Sequence, residues 1–229
     1  MDEMAGLVLG ITVRGVAEAP SSPIESEPRT LHLFANERPG VFEDQPGHGF
    51  VLQEDERAPA TDSVTIPGTP LILIRDEPVE ITVTNRLRES LAIHWHGIEL
   101  ESYYDGVAGW SGIEGEIAPP IPQGTSSIVR FTPPRAGTFI YHVHNEAGEE
   151  LSSGLYGALI VLEPGGAFDP RVDQVLVVGE PGPGGRRGTA RAPFVNGRAT
   201  PAPLQLEVGR AYRLRLISIP ADDLYAVPR

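Results

Sequence analysis

Short runs of aliphatic, aromatic and β-branched residues, each closed by a turn rich in Gly or Pro, recur along most of this chain. They read as strands at residues 31–35, 50–53, 63–66, 71–74, 79–85, 91–96, 127–132, 138–144 and 155–162. Between residues 60 and 165 no helical period lasts longer than a turn or two. The 26 Gly and 23 Pro among 229 residues make up more than a fifth of the chain, a density of breakers that argues against a helix bundle. Hydrophobic residues at 40% still supply a real core, so the expectation is an all-β protein built as a sandwich or barrel.

The punctuation also divides the chain. Residues 1–15 hold one apolar strand at 6–13, which reads as the last strand of a preceding domain, and residues 16–29 have the Pro, Ser and Glu content of a linker. Residues 30–165 are one sandwich. Residues 166–192 form a connection that carries a further strand at 174–178 and a breaker-rich stretch at 179–191. Residues 193–229, with strand signals at 195–197, 204–208 and 212–219, read as the start of a further, truncated sandwich, because roughly 35 residues cannot bury a sheet on both faces.

Charge and composition remove several functions. Eighteen basic against 31 acidic residues leave a net charge of −13, which repels phosphate backbones and anionic lipid, so no nucleic-acid partner is expected. All 18 basic residues are Arg, which excludes a lysine nucleophile or Schiff base. The absence of Cys excludes disulfides, thiolate catalysis and any thiolate-bound metal supplied by this chain. No run approaches the roughly 20 apolar residues of a membrane span. The acidic start Met1-Asp2-Glu3-Met4 does not read as a signal peptide.

Four of the six histidines fall in two identical spacings, His94-Trp95-His96 and His142-Val143-His144, each ending an apolar strand. On a strand, residues i and i+2 point to one face roughly 7 Å apart, so each pair projects two imidazoles in one direction. If the two strands are neighbours, four imidazoles converge. Imidazole without thiolate favours Cu, Zn, Fe or Ni over Ca²⁺ or Mg²⁺.

Around these pairs stand four motifs in order: His94-Trp95-His96-Gly97, Asp105-Gly106-Val107, the run from Gly137-Thr138-Phe139 to Tyr141-His142-Val143-His144, and Gly154-Leu155-Tyr156-Gly157. Together they resemble the first copper-binding, cupredoxin (plastocyanin-like) domain of the multicopper oxidases, the laccase-like enzymes. The resemblance is close over residues 60–165 and weaker to 229. It implies a Greek-key β-sandwich and a trinuclear copper cluster, of type 2 and type 3 sites, at which dioxygen is reduced to water. It also implies His94 as the type 2 ligand, His96, His142 and His144 as type 3 ligands, and Asp105 as a nearby carboxylate that assists proton delivery.

The departures from the family pattern are equally specific. A type 1 copper needs a Cys with two His, and the chain has no Cys; the remaining cluster histidines of the family, in His-Pro-x-His-x-His and His-Cys-His motifs, do not occur either. The chain therefore carries half a cluster, and the expected partners are dioxygen, a reducing substrate (phenol, amine or metal ion), and another cupredoxin domain or subunit that completes the site. Met4, followed by an apolar segment, resembles the axial ligand that ends a type 1 copper domain. By the same analogy the parent protein is periplasmic or extracellular. The alternative reading is a copper-handling protein without oxidase activity. Outside the pairs, His32 reads as solvent-facing or structural, His48 as a turn residue, Trp110 as an aromatic plug at the sandwich end, and Glu146, Glu149 and Glu150 as a solvated loop.

Overall fold

The computed structural model describes residues 27–43, 45–107, 109–144, 152–179, 182 and 193–219. Met4, the strand expected at 6–13, and Glu146, Glu149 and Glu150 lie outside these residues.

The described chain is almost wholly β, as the density of turn residues requires. The first sheet holds β1 (Arg29–Phe42), β2 (Gln45–Leu52), β4 (Val79–Asn85) and β8 (Ser126–Phe131) in the order β2-β1-β4-β8. The second holds β3 (Gly68–Ile74), β5 (Ile93–His96), β9 (Gly137–Val143) and β10 (Tyr156–Leu162) in the order β3-β10-β9-β5. Two parallel pairings, β1 with β4 and β3 with β10, join strands distant in sequence, and each is reached by crossing between the sheets. Neither sheet closes on itself, and the result is a cupredoxin-like Greek-key sandwich.

The core between the sheets follows from period-two alternation. In β4 the residues Val79, Ile81 and Val83 are buried while the intervening polar residues are only half-buried. They meet Leu33, Phe50, Leu71, Leu73, Trp95, Phe139, Tyr141 and Leu159 from the other strands. β10 is buried on both faces. Its Leu159 and Val161 join that core, whereas Tyr156, Ala158, Ile160 and Leu162 pack outward against a third sheet.

That third sheet consists of β11 (Asp173–Gly179), β12 (Phe194–Val195) and β13 (Arg213–Ser218), in the order β12-β11-β13. Its pairing, antiparallel to β12 and parallel to β13, repeats the arrangement of β2-β1-β4. Val177 and Ile217 carry it onto β10. Asp173 and Arg215, both buried, form an ion pair at 2.9 Å, and Arg215 also donates to Thr138 Oγ1 of β9 at 2.8 Å.

Two expected strands are not formed. Residues 63–66 are irregular, because the nearby backbone carbonyls are taken by side chains: Asn36 donates to Ala60 and Ser63, and Arg86 donates to Pro59. Residues 204–208 alternate like a strand but have no strand beside them among the described residues, and Leu204, Leu206 and Val208 stay exposed. His48 lies within β2 and not in a turn. A small hairpin, β6 (Gly112–Ile113) with β7 (Glu116–Ile117), and a single 3₁₀ turn, η1 (Ser102–Tyr104), lie between β5 and β8.

Candidate metal centre

The histidines reach one place because β5 pairs antiparallel with β9 in a register that sets His94 opposite His142. On each strand the alternate residues turn inward. Ile93 and Trp95 on β5, and Tyr141 and Val143 on β9, are buried in the core. Trp95 is fully buried, with its ring centroid 5.7 Å from Phe131 and 5.9 Å from Tyr141, and Tyr141 donates to the Thr69 carbonyl at 2.6 Å. This inner layer is the platform from which the imidazoles project outward. His144 follows β9 directly, and its N–H donates to the Ala92 carbonyl at 2.8 Å, which keeps it beside the β5 edge.

The ligand atoms of His94, His96 and His142 all lie within 4.8 Å of one another. His94 is the hub: its ring centroid is 5.3 Å from His96, 5.4 Å from His142 and 5.6 Å from His144. His144 completes the group at 6.0 Å from His142.

The outer hydrogen bonds settle which ring nitrogen is free. His94 Nδ1 lies 2.8 Å from the Asp105 carbonyl oxygen, and His142 Nδ1 lies 2.7 Å from the Val143 carbonyl oxygen. A carbonyl only accepts, so each Nδ1 carries the proton and each Nε2 is left with a lone pair. Burial lowers the pKa of both rings. For His94, the Asp105 carbonyl and carboxylate oppose that shift and the charges of His96 and His144 add to it. For His142, burial and the neighbouring imidazoles bring the pKa down to about 4. Both rings are therefore neutral at pH 7, the form that binds a metal. Four imidazoles with no thiolate suit copper and its borderline neighbours.

Asp105 sits where the loop after η1 turns back under β5. Its Oδ1 is 3.4 Å from His94 Nδ1. Gly106, at φ +79°, permits this approach, because a Cβ there would collide with the Ile93 carbonyl. On the other side Arg135 donates to the Gly97 carbonyl, holds Glu99 at 2.9 Å, and lies over the Phe139 ring at 4.6 Å, which fixes the turn after His96.

All four paired histidines and Asp105 thus come together. The other histidines do not join them. His32 makes a 2.7 Å hydrogen bond with Thr84 and stacks on Phe34, and His48 faces Glu37 at 3.4 Å. Trp110 is 67% exposed and plugs nothing. Sequence reading missed Ser111, a buried loop residue beside Asp105, because no spacing rule marks a serine whose partners are set by loop closure.

Comparison with known proteins gives the family. The multicopper oxidase family model matches residues 52–166, half of the chain. The chain is 38% identical over 105 residues to the multicopper oxidase VdtB of Byssochlamys spectabilis, covering 45% of this chain and 14% of that protein. It is 42% identical over 97 residues to a copper resistance protein A homolog of Pseudomonas syringae pv. tomato, covering 42% of this chain and 15% of that protein. Among solved structures, a multi-copper oxidase from Pseudomonas thermotolerans superposes with a TM-score of 0.65 at 25% identity, over 85% of this chain and 47% of that one. The blue copper oxidase of Nitrosomonas europaea gives 0.64 at 24% identity, over 85% of this chain and 62% of that one, a likeness of fold. With the motifs in order, the imidazoles on one face and half of the sequence matched, the chain belongs to the multicopper oxidase family, whose members bind copper.

Proposed function

We propose that residues 30–165 supply four histidines to a trinuclear copper cluster at which dioxygen is reduced to water. One observation carries this reading: adjacent strands present four imidazoles on one face, and the two whose Nδ1 atoms meet backbone carbonyls keep Nε2 free. His94 is the type 2 ligand, and His96, His142 and His144 are type 3 ligands. Copper held there would supply one-electron redox chemistry, and O₂ with four electrons and four protons gives two waters.

The residues of this chain do three things in that scheme. Inward packing of Trp95 and Tyr141 fixes the strands, so the rings do not reorganise as charge changes. The two carbonyl partners hold the His94 and His142 tautomers. Asp105, within 3.4 Å of His94 Nδ1, stores and passes protons beside the cluster. Electrons would come from a phenol, amine or metal ion by way of a type 1 copper that another domain or subunit would hold, and that partner would also bring the remaining cluster ligands. The β12-β11-β13 sheet is the opening of a further domain of the same kind, a reading supported by its repeat of the β2-β1-β4 pairing.

The test uses this protein together with the module that bears the type 1 copper. The expected result is blue absorption and O₂ consumption with a reducing substrate. In H94A/H142A the blue absorption persists, while cluster copper is lost and O₂ consumption falls by at least about 100-fold, as for loss of direct ligands. Copper uptake with no O₂ consumption in the wild type, with the type 1 copper reduced, would favour copper handling instead.

A further inference from the structure

We propose that Ser111 is a positioning residue for His94: it closes the loop from Asp105 so that the Asp105 carbonyl stays on His94 Nδ1 and Nε2 stays committed to the metal. The proposal rests on the reading of the four histidines as ligands and extends it to a residue outside the cluster.

Ser111 is only 3% exposed although its neighbour Trp110 is 67% exposed. Its hydroxyl accepts the Val107 N–H at 2.7 Å, and its own N–H returns to the Val107 carbonyl at 2.9 Å, a reciprocal pair that ties Ser111 to the last residue of the Asp-Gly-Val segment. Its carbonyl accepts the Ala118 N–H at 2.8 Å, which ties the same residue to the far side of the β6–β7 hairpin. The hydroxyl has one hydrogen. Because the Val107 N–H already occupies an acceptor position on Oγ, that hydrogen is free to point to Asp105 Oδ2, 3.4 Å away.

Asp105 is thereby held from two directions. Its carbonyl and Oδ1 face His94 Nδ1, at 2.8 and 3.4 Å, while Oδ2 faces Ser111. Gly106 lies against the Ile93 carbonyl, so the turn cannot tilt closer to β5, and Ser111 keeps it from opening away. Removing the hydroxyl leaves the Val107 N–H without its acceptor and frees the carboxylate. The Asp105 carbonyl then no longer has a fixed place, and His94 can exchange its proton between Nδ1 and Nε2. An imidazole protonated at Nε2 half of the time is a poorer ligand through that atom, and loss of such outer partners weakens metal binding about 10- to 100-fold.

The experiment has a readout that needs no metal. In the metal-free wild type, side-chain ¹⁵N spectra should show His94 protonated at Nδ1 and bare at Nε2. Ser111→Ala and Ser111→Val should bring the two His94 nitrogen shifts toward an average, and Ser111→Thr, which keeps a hydroxyl, should restore the wild-type pattern. Copper(II) affinity, measured against a competing chelator, should fall about 10-fold or more in the Ala and Val variants and return to within about 3-fold in the Thr variant. An unchanged His94 tautomer and an unchanged affinity in Ser111→Ala would overturn the proposal. If the wild type binds no copper at these histidines, the cluster reading fails on its own, and the tautomer measurement still decides the role of Ser111. Should Ser111→Ala not fold, amide exchange at Val107 of the wild type decides: strong protection supports the latch, and exchange at the rate of an open loop overturns it.

Discussion

The outward face of the second sheet has two ends with opposite fates. Toward β10 it is covered, where Tyr156, Ala158, Ile160 and Leu162 pack against Val177 and Ile217 of the third sheet. Toward β5 it carries His94, His96 and His142, and His96 remains exposed. On β9 the change occurs within five residues, since Thr138 meets Arg215 and Ile140 packs with the covered cluster, while His142 faces the other imidazoles. A single strand parity therefore serves for packing at one end and for a cluster of imidazoles at the other. The covered end anchors the strand, and the open end can hold half-buried neutral imidazoles at little cost because their polar atoms reach partners or solvent.

If the covered end is an anchor, breaking its ion pair should have the largest effect. Arg215→Met leaves the Asp173 carboxylate buried against only Arg213 at 3.5 Å, and should cost about 3–5 kcal/mol by urea unfolding. The double variant Arg215→Met/Asp173→Leu should recover most of that loss, since no unpaired charge then remains. Failure of the single variant to destabilise would mean that the third sheet does not bear on β9.

The imidazole end should respond to acid. His142 titrates near 4 when folded against an ordinary 6.5, so on acidification the unfolded chain takes up its proton first. Stability from this group is fully present above pH 6.5 and is lost as pH falls toward 4, by about 3 kcal/mol in the metal-free protein. His94, also lowered, acts in the same direction. Denaturation of wild type and His142→Gln at pH 7 and 4.5 isolates the effect from that of the carboxylates, and equal acid sensitivity in both would remove the electrostatic half of the contrast.

The imidazole end was the more legible in sequence. Period-two spacing alone predicts that His94 and His96 share a face, and the strand runs around them appear at the expected places with shifted ends. The register that sets His94 against His142 is a tertiary fact, and no residue near either pair encodes it. The covered end was hidden for a similar reason. Asp173 and Arg215 are 42 residues apart, and only the parallel pairing of β11 and β13 makes them partners. Residues 63–66 mislead in the opposite way: their β-branched composition is right for a strand, but Asn36 takes the carbonyl of Ser63 and Arg86 that of Pro59 just upstream.

The third sheet offers the finest test, because it repeats within one strand the contrast between covered and open faces. In β13, Ile217 is 8% exposed against β10, whereas Leu216 beside it is 70% exposed. Ile217→Ala should cost about 2–4 kcal/mol through lost burial and the cavity left behind. Leu216→Ser should change stability by no more than about 0.5 kcal/mol, as for an open surface position. The same pair measured in the protein joined to the proposed type 1 copper module then reports on that face directly. A cost for Leu216→Ser that rises to the scale of Ile217→Ala would mean that a second layer covers β13 there, as the second sheet covers the inner face of β4. An unchanged small cost in both settings would leave the outer face of β13 open to solvent and restrict the sandwich-like part of this region to the side that meets β10.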